Sequence, residues 1–377
     1  MKKIIIAPKS QYGYITDYLQ MVKRLAAKGL AVDVICFDEG LPKIDAPENV
    51  EILYVARTRY KLVNYSRHIS AIAKRVLAER TAVKWVVISA NIELSGILPG
   101  LLKLFTPNVR WILDIRTCAV FQGAMKRKVY DWLVTASAVF FDRTTIISPL
   151  VAERLGIKKF DVLPLGSDCY IDLGSKVFCR QRIEFLYVGK FDDRRVGDLV
   201  RAFDAISNQQ NGEDEMVFHI VGFADREEEA QILRAEIDKA DHKEQIIWHG
   251  KKSHAQIKEL FETASIGFSY IPKTEFFDVQ PPTKTYEYIR NGMVCIATNT
   301  RANAEIITAA NGVLVNDDVP ALVAGIELAL ARLDMYESSV IAQTVEKNEW
   351  QYIMGDFHRL LEQIEAREDG AEQTKRI

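Results

Sequence analysis

Phe185-Leu-Tyr-Val-Gly-Lys-Phe-Asp-Asp-Arg-Arg-Val-Gly-Asp-Leu-Val-Arg-Ala-Phe203 carries a strand, a glycine loop and a helix in succession. The apolar run ends at Gly189, where the missing Cβ lets an anion approach the backbone. Lys190 and Arg195 follow at loop spacing, and the helix opens near Asp198. Such a loop can grip a diphosphate. At an effective dielectric of about 20, a cation about 4 Å from a phosphate oxygen gains roughly 4 kcal/mol before desolvation. Strand-Gly-Lys also arises at plain turns, so two readings stand side by side at this point.

Outward from this segment the same rhythm repeats. Ahead of it, strands are expected at Ile4 to Ala7, Ala31 to Phe37, Lys84 to Ser89, Val109 to Leu113, Ala138 to Phe141 and Thr145 to Ile147, with a helix through Tyr18 to Lys28. After it come strands at Val217 to Val221, Ile246 to Trp248, Ile266 to Ser269, Val294 to Ala297 and Gly312 to Val315, separated by helices near Asp198 to Asn208, Arg226 to Ala240, His254 to Ala264 and Thr283 to Asn291. This βαβ alternation implies two doubly wound parallel sheets. Turn residues between Leu165 and Arg180 suit a connection between them. The expected division is 1–168, a linker 169–182, a second domain 183–349, and a helix in 350–377 that packs back on the first domain and ends in a disordered tail.

The chain of 377 residues is long enough for two such domains, and 48% hydrophobic residues can fill both cores. Five scattered cysteines without CxxC spacing suggest neither a disulfide framework nor a zinc site, and they read as reduced and cytoplasmic. The apolar run after Met1-Lys2-Lys3 is too short for a signal peptide or a membrane span. The longer run Val86 to Phe105 is interrupted by Asn91, Glu93, Pro99 and Lys103, and reads as a strand followed by a helix. Residues 1–170 carry a net charge of roughly +10 and residues 171–377 roughly −12. A basic half suits an anionic membrane surface or ordinary solvated helix faces. Without interleaved aromatic residues it gives no case for nucleic acid.

A second informative segment is Asp278-Val-Gln-Pro-Pro-Thr-Lys-Thr-Tyr-Glu-Tyr-Ile-Arg-Asn-Gly-Met-Val-Cys-Ile-Ala297. Thr283 after two prolines reads as an N-cap, which aims the dipole of a helix carrying Lys284 and Glu287 at a ligand. Glu287, one turn in, can accept both hydroxyls of a ribose or can be a first-turn acid favoured by the dipole.

Together, the two segments resemble glycosyltransferase family 4, the large retaining group with the GT-B fold. That family's first segment reads Val-Gly-Arg-Leu, then Lys-Gly and Asp-Leu-Leu. This chain has Val188-Gly189-Lys190-Phe191, Arg195-Val196 and Asp198-Leu199. Pro282, Lys284, Glu287 and Tyr288, followed by Gly292 and Val294-Cys-Ile-Ala297, are similar to the family's second segment. Looser matches are Tyr12-Gly13, Arg24 to Val32, Ile146 to Ser148, Leu163 to Asp168, Phe218 to Gly222, Ile247 to Gly250 and Leu260 to Tyr270. One position departs: Val279 stands where the family has the first glutamate of its E-x7-E motif, which contacts the donor sugar. Asp278 and Gln280 are the neighbours that can substitute.

The resemblance implies a GT-B fold of two facing Rossmann-like domains with a cleft between them. It also implies transfer of a sugar from a UDP- or GDP-type nucleotide sugar to a hydroxyl of a glycan or lipid-linked acceptor, with retention and without metal or other cofactor. Donor-binding residues would be Gly189, Lys190, Arg195, Gly222, His249, Gly250, Asp278, Gln280, Thr283, Lys284 and Glu287. Gly13, Asp114 and Arg116 would face the acceptor, with Lys190, Arg195 and Asp114 as the catalytic set; Asp114 and Arg116 read equally as a buried structural ion pair. The basic run Met125-Lys-Arg-Lys-Val-Tyr-Asp-Trp-Leu133 reads as a peripheral contact with the inner face of an anionic membrane or as a solvated helix. The implied setting is bacterial surface polysaccharide synthesis. Two rivals are a sugar-nucleotide epimerase of the same fold and a non-catalytic sugar-nucleotide-binding protein. A nicotinamide dehydrogenase is disfavoured because no GxGxxG follows the first strand.

Overall fold

The computed structural model describes residues 1–90, 96–120, 123–209, 215–252 and 254–374. It divides into two compact units, Met1–Pro164 with Trp350–Ile377, and Leu165–Glu349. The chain therefore crosses from the first unit to the second ahead of the expected linker. Residues 165–180 are held in the second unit, where the Tyr170 amide donates to Asn291 and Ser167 bridges Glu349.

The first unit is built on seven parallel strands: β1 (Lys3–Ala7), β2 (Ala31–Asp38), β3 (Val50–Ala56), β4 (Val83–Ser89), β5 (Arg110–Ile115), β6 (Arg143–Ile146) and β7 (Asp161–Val162). Their order is β3-β2-β1-β4-β5-β6-β7. β1 is central, and Ile4, Ile5 and Ile6 are all fully buried, as a strand covered by helices on both faces requires. The helix Thr16–Ala27 covers one face through Tyr18, Met21, Val22 and Leu25. The C-terminal helix Trp350–Thr374 lies against it, adding Trp350, Met354, Phe357 and Leu361 to the same core. The Trp85 indole donates to the Leu361 carbonyl at 3.1 Å. The disordered tail expected after this helix falls on residues outside the described set.

The second unit has six parallel strands, β8 (Arg182–Lys190), β9 (Glu215–Phe223), β10 (Ile246–Gly250), β11 (Ile266–Ser269), β12 (Val294–Thr298) and β13 (Gly312–Val315). Their order is β10-β9-β8-β11-β12-β13. In each unit the order reverses beside a central strand, at β1/β4 and at β8/β11, and ligands of such sheets bind beyond the carboxyl ends at that point.

One expected strand needs correction, and two strands are added. Ala138 to Phe141 is no strand: the helix Ala124–Ala138 runs into it, and Val139 and Phe140 stay exposed. β3 and β7 escaped the sequence reading, β3 because an edge strand alternates in burial and β7 because it has two residues. Among the described residues no helix is long and apolar enough to cross a membrane, and 86–105 contains β4 and the helix Ile97–Leu102. The five cysteines are free.

Candidate functional site

The carboxyl ends of β8 and β9 are shaped by two glycines. Gly189 and Gly222 are paired neighbours with φ of +150° and +153°. A Cβ on Gly222 would lie 1.8 Å from the Gly189 carbonyl oxygen, so only glycine lets the two strand ends meet. Gly189 is open by contrast, its nearest neighbours being the Tyr187 hydroxyl and the Lys284 ammonium, 3.6 Å and 3.9 Å from where a Cβ would stand. This is bared backbone beside a cation.

Lys284 reaches this point from the helix Thr283–Arg290, its Nζ 4.0 Å over the Tyr187 ring. Burial, with like charge from Arg194, pulls its pKa well below the ordinary lysine value, against an opposing effect of Glu287. Arg194 lies with its guanidinium 4.0 Å over the Phe277 ring. An anion arriving here would relieve both groups, because it supplies the countercharge that burial has taken away.

Lys190 and Arg195 take other partners. Lys190 pairs with Asp225 at 2.5 Å. Arg195, held at φ +52°, pairs with Asp198 at 2.5 Å and donates to the Asp317 carbonyl at 2.9 Å. Asp198 is 3% exposed and also takes the Tyr270 hydroxyl, so Arg195 leans on a fixed anchor. Sequence reasoning chose Arg195 and passed over Arg194; the pattern of two adjacent arginines holds no signal for which one folds inward.

Thr283 is not an N-cap: Pro282 holds that position, and Thr283 is the first helical residue. Glu287 is buried on the same helix, close enough to Lys284 and Tyr170 to influence both. Asp278 accepts the Arg301 amide at 3.0 Å, at the start of the short helix Arg301–Ala304 that Thr300 caps, while Val279 is buried and Gln280 half-buried. Gly250 turns at φ +71° with open space around it. His249 lies half-buried with its Nε2 3.0 Å from His219 Nδ1.

In the first unit, Asp114 is 1% exposed and both its oxygens are taken, Oδ1 by the Thr145 hydroxyl at 2.7 Å and Oδ2 by Arg116 Nε at 2.8 Å. Arg116 also donates to the Leu163 carbonyl at 2.9 Å and lies 4.0 Å from Asp17. Burial lowers its pKa, and Asp114 and Asp17 more than restore it. Its Nη2 is buried with no partner among the described residues. Gly13, at φ +94°, packs under Ile44. The helix Ala124–Ala138 turns Met125, Val129 and Trp132 outward, and the stripe continues to Val139 one helical repeat on. A cavity of about 530 Å³ beside Val139 is lined by Thr135, Arg143, Lys158, Lys159 and Phe160.

Residues 182–332 match the family described as Glycosyl transferases group 1. No curated protein matches the sequence. Among solved structures, sucrose-phosphate synthase from Thermosynechococcus elongatus is similar at 17% identity with a TM-score of 0.77, over 97% of this chain and 100% of that one. Anabaena HepE in complex with UDP follows at 10% identity and TM-score 0.70, over 96% and 100% of the two chains. WaaG, a glycosyltransferase involved in lipopolysaccharide biosynthesis, matches at 12% identity and TM-score 0.69, over 95% and 99%. At these identities the likeness is one of fold, and the fold is GT-B.

Proposed function

We propose, from the match of residues 182–332 to the glycosyl transferases group 1 family, that this chain transfers a sugar from a nucleoside-diphosphate sugar to an acceptor hydroxyl with retention at the anomeric carbon. The observation that carries the reading is the bared backbone of Gly189 beside the desolvated Lys284 ammonium. The donor diphosphate lies on the Gly189 backbone and against Lys284. Lys190 and Arg195 turn from Asp225 and Asp317 to meet its outer oxygens. As the anomeric carbon–oxygen bond to phosphate breaks and the bond to the acceptor oxygen forms, these cations neutralise the leaving nucleoside diphosphate, which also takes up the hydroxyl proton. Side chains supply the positive charge that a metal would otherwise bring. Glu287 receives the ribose hydroxyls.

In the first unit, Asp114 orients Arg116, and the Arg116 Nη2, buried with no partner among the described residues, is the donor left for an acceptor group. The outward stripe Met125, Val129, Trp132 and Val139, flanked by Lys126, Lys128, Lys158 and Lys159, rests on an anionic membrane that carries a lipid-linked acceptor. Val279, in place of the usual glutamate, favours a second reading in which nucleotide sugar binds without transfer.

The test is release of UDP or GDP from a panel of nucleotide sugars, with and without glycan and lipid-phosphate acceptors. Lys284→Ala, Lys190→Ala and Arg195→Ala should each lower turnover at least about a hundredfold with the fold intact by circular dichroism. At a pH above the lowered pKa of Lys284, calorimetry in buffers of different ionisation enthalpy should record proton uptake on nucleotide binding, because the phosphate charge moves that pKa back up. Near-normal turnover in Lys284→Ala would end the transfer scheme, and binding without turnover would select the second reading.

A further inference from the structure

Three side chains on adjacent strands form a chain of contacts that sugar transfer does not itself require. Glu184 on β8 is buried, and its carboxylate takes Arg182 Nε at 2.8 Å and the Thr263 hydroxyl. Burial raises its pKa, but Thr263, Arg182 and His219 bring it below the ordinary carboxylate value, so Glu184 is ionised. His219 on β9 holds Nε2 3.5 Å from this carboxylate and Nδ1 3.0 Å from His249 Nε2 at the end of β10. Burial lowers both imidazoles, which keeps the pair neutral near pH 7.

A neutral imidazole has one donor and one acceptor nitrogen. A lone pair on His219 Nε2 would face a negative oxygen, so the proton sits on Nε2 and Nδ1 is the acceptor. The contact between the two rings needs one proton, which must come from His249 Nε2. His249 is thereby left with a bare Nδ1. Its strand ends beside Gly222, to whose carbonyl the adjacent Trp248 indole donates at 3.2 Å, and Val221 pairs with Gly250. Residue 249 thus stands at the same carboxyl edge of the sheet as Gly222 and Gly189.

We propose, resting on the donor reading above, that Glu184 and His219 are positioning residues that fix His249 as an acceptor at Nδ1, and that His249 thereby selects a nucleobase with a ring N–H, such as uracil or guanine, over adenine, whose ring has none.

Two measurements test this. In protein carrying 15N-histidine, multiple-bond NMR correlations, with the six histidines assigned by single substitutions, should show His249 as the Nε2–H tautomer and His219 likewise. An Nδ1–H form at His249 overturns the relay whatever the ligand. In titration calorimetry, UDP or GDP should bind at least about tenfold more tightly than its N3-methyl or N1-methyl analogue and than ADP, a difference of about one hydrogen bond. His249→Ala should bring natural and methylated nucleotides within about twofold of one another. Glu184→Gln should reduce the discrimination and populate both tautomers, and His219→Asn serves as the second variant if Glu184→Gln does not fold. Equal binding of natural and methylated nucleotides by the unchanged protein overturns the base selection while the donor reading survives. Failure of both UDP and GDP to bind removes the donor reading and the base selection with it, leaving the tautomer spectrum to judge the relay.

Discussion

Lys176 shows how far a single side chain can depart from its usual state. Its ammonium is buried and donates to the carbonyls of Phe261 at 2.6 Å and Asn291 at 3.1 Å, with no carboxylate in direct contact among the described residues. Burial lowers its pKa to about 7, from 10.5 in a free chain. Between those values the unfolded chain binds the proton and the native protein does not, so stability rises with pH across that window, by at most about 1.4 kcal/mol per pH unit. Urea unfolding midpoints at pH 7.5 and 9.5 should show this gain, and Lys176→Met should lack it; equal pH slopes in the two proteins would refute the assignment. Sequence reading passed over Lys176 because a lysine amid turn residues looks solvated. Gly189, Gly222 and Lys284 were legible, since each is dictated by local chemistry: a strand end without Cβ, or a cation on a helix's first turn. The inward turn of Arg194 and the occupation of Asp114 and Asp278 were not, because they depend on Phe277, Thr145 and Arg301, which are distant in sequence.

Among elements, buried strands were easiest to read, since β1, β8 and β12 are nearly continuous apolar runs enclosed on both faces. Elements with one wet face gave weaker signals. The helix Ala124–Ala138 is the opposite case, where apolar residues appear at helical spacing yet Met125 and Trp132 are 79% and 66% exposed. A stripe of that kind facing water is costly unless something covers it. Vesicles of phosphatidylglycerol and phosphatidylcholine should sediment the protein, pure phosphatidylcholine should do so at least about fivefold less, and a joint Val129→Ser, Trp132→Ser variant should stay in the supernatant. Equal sedimentation with both vesicle types would argue against the charge-assisted contact.

At the scale of the whole molecule, the doubled βαβ rhythm made two parallel sheets readable from the chain alone, and residues 182–332 of the second match the glycosyl transferases group 1 family model. The charge division between halves maps onto the two units only in part. The helix Trp350–Thr374 comes from the acidic half of the sequence but joins the basic unit, where Lys2 pairs with Glu365 at 2.7 Å. Net charge is read along the sequence, whereas the units are assembled in space.

That returning helix gives the protein an order of birth. The amino-terminal sheet leaves the ribosome long before Trp350, Met354, Phe357 and Leu361 exist, so its outer groove along Met21 and Leu25 stays unfilled until they follow, while Leu165–Glu349 can already close on itself. The nascent first half thus presents apolar surface that favours association. Residues 1–164 produced alone should bind the dye ANS and aggregate, and a peptide of residues 350–374 added in trans should suppress both; a soluble, dye-silent fragment would show that the last helix is dispensable.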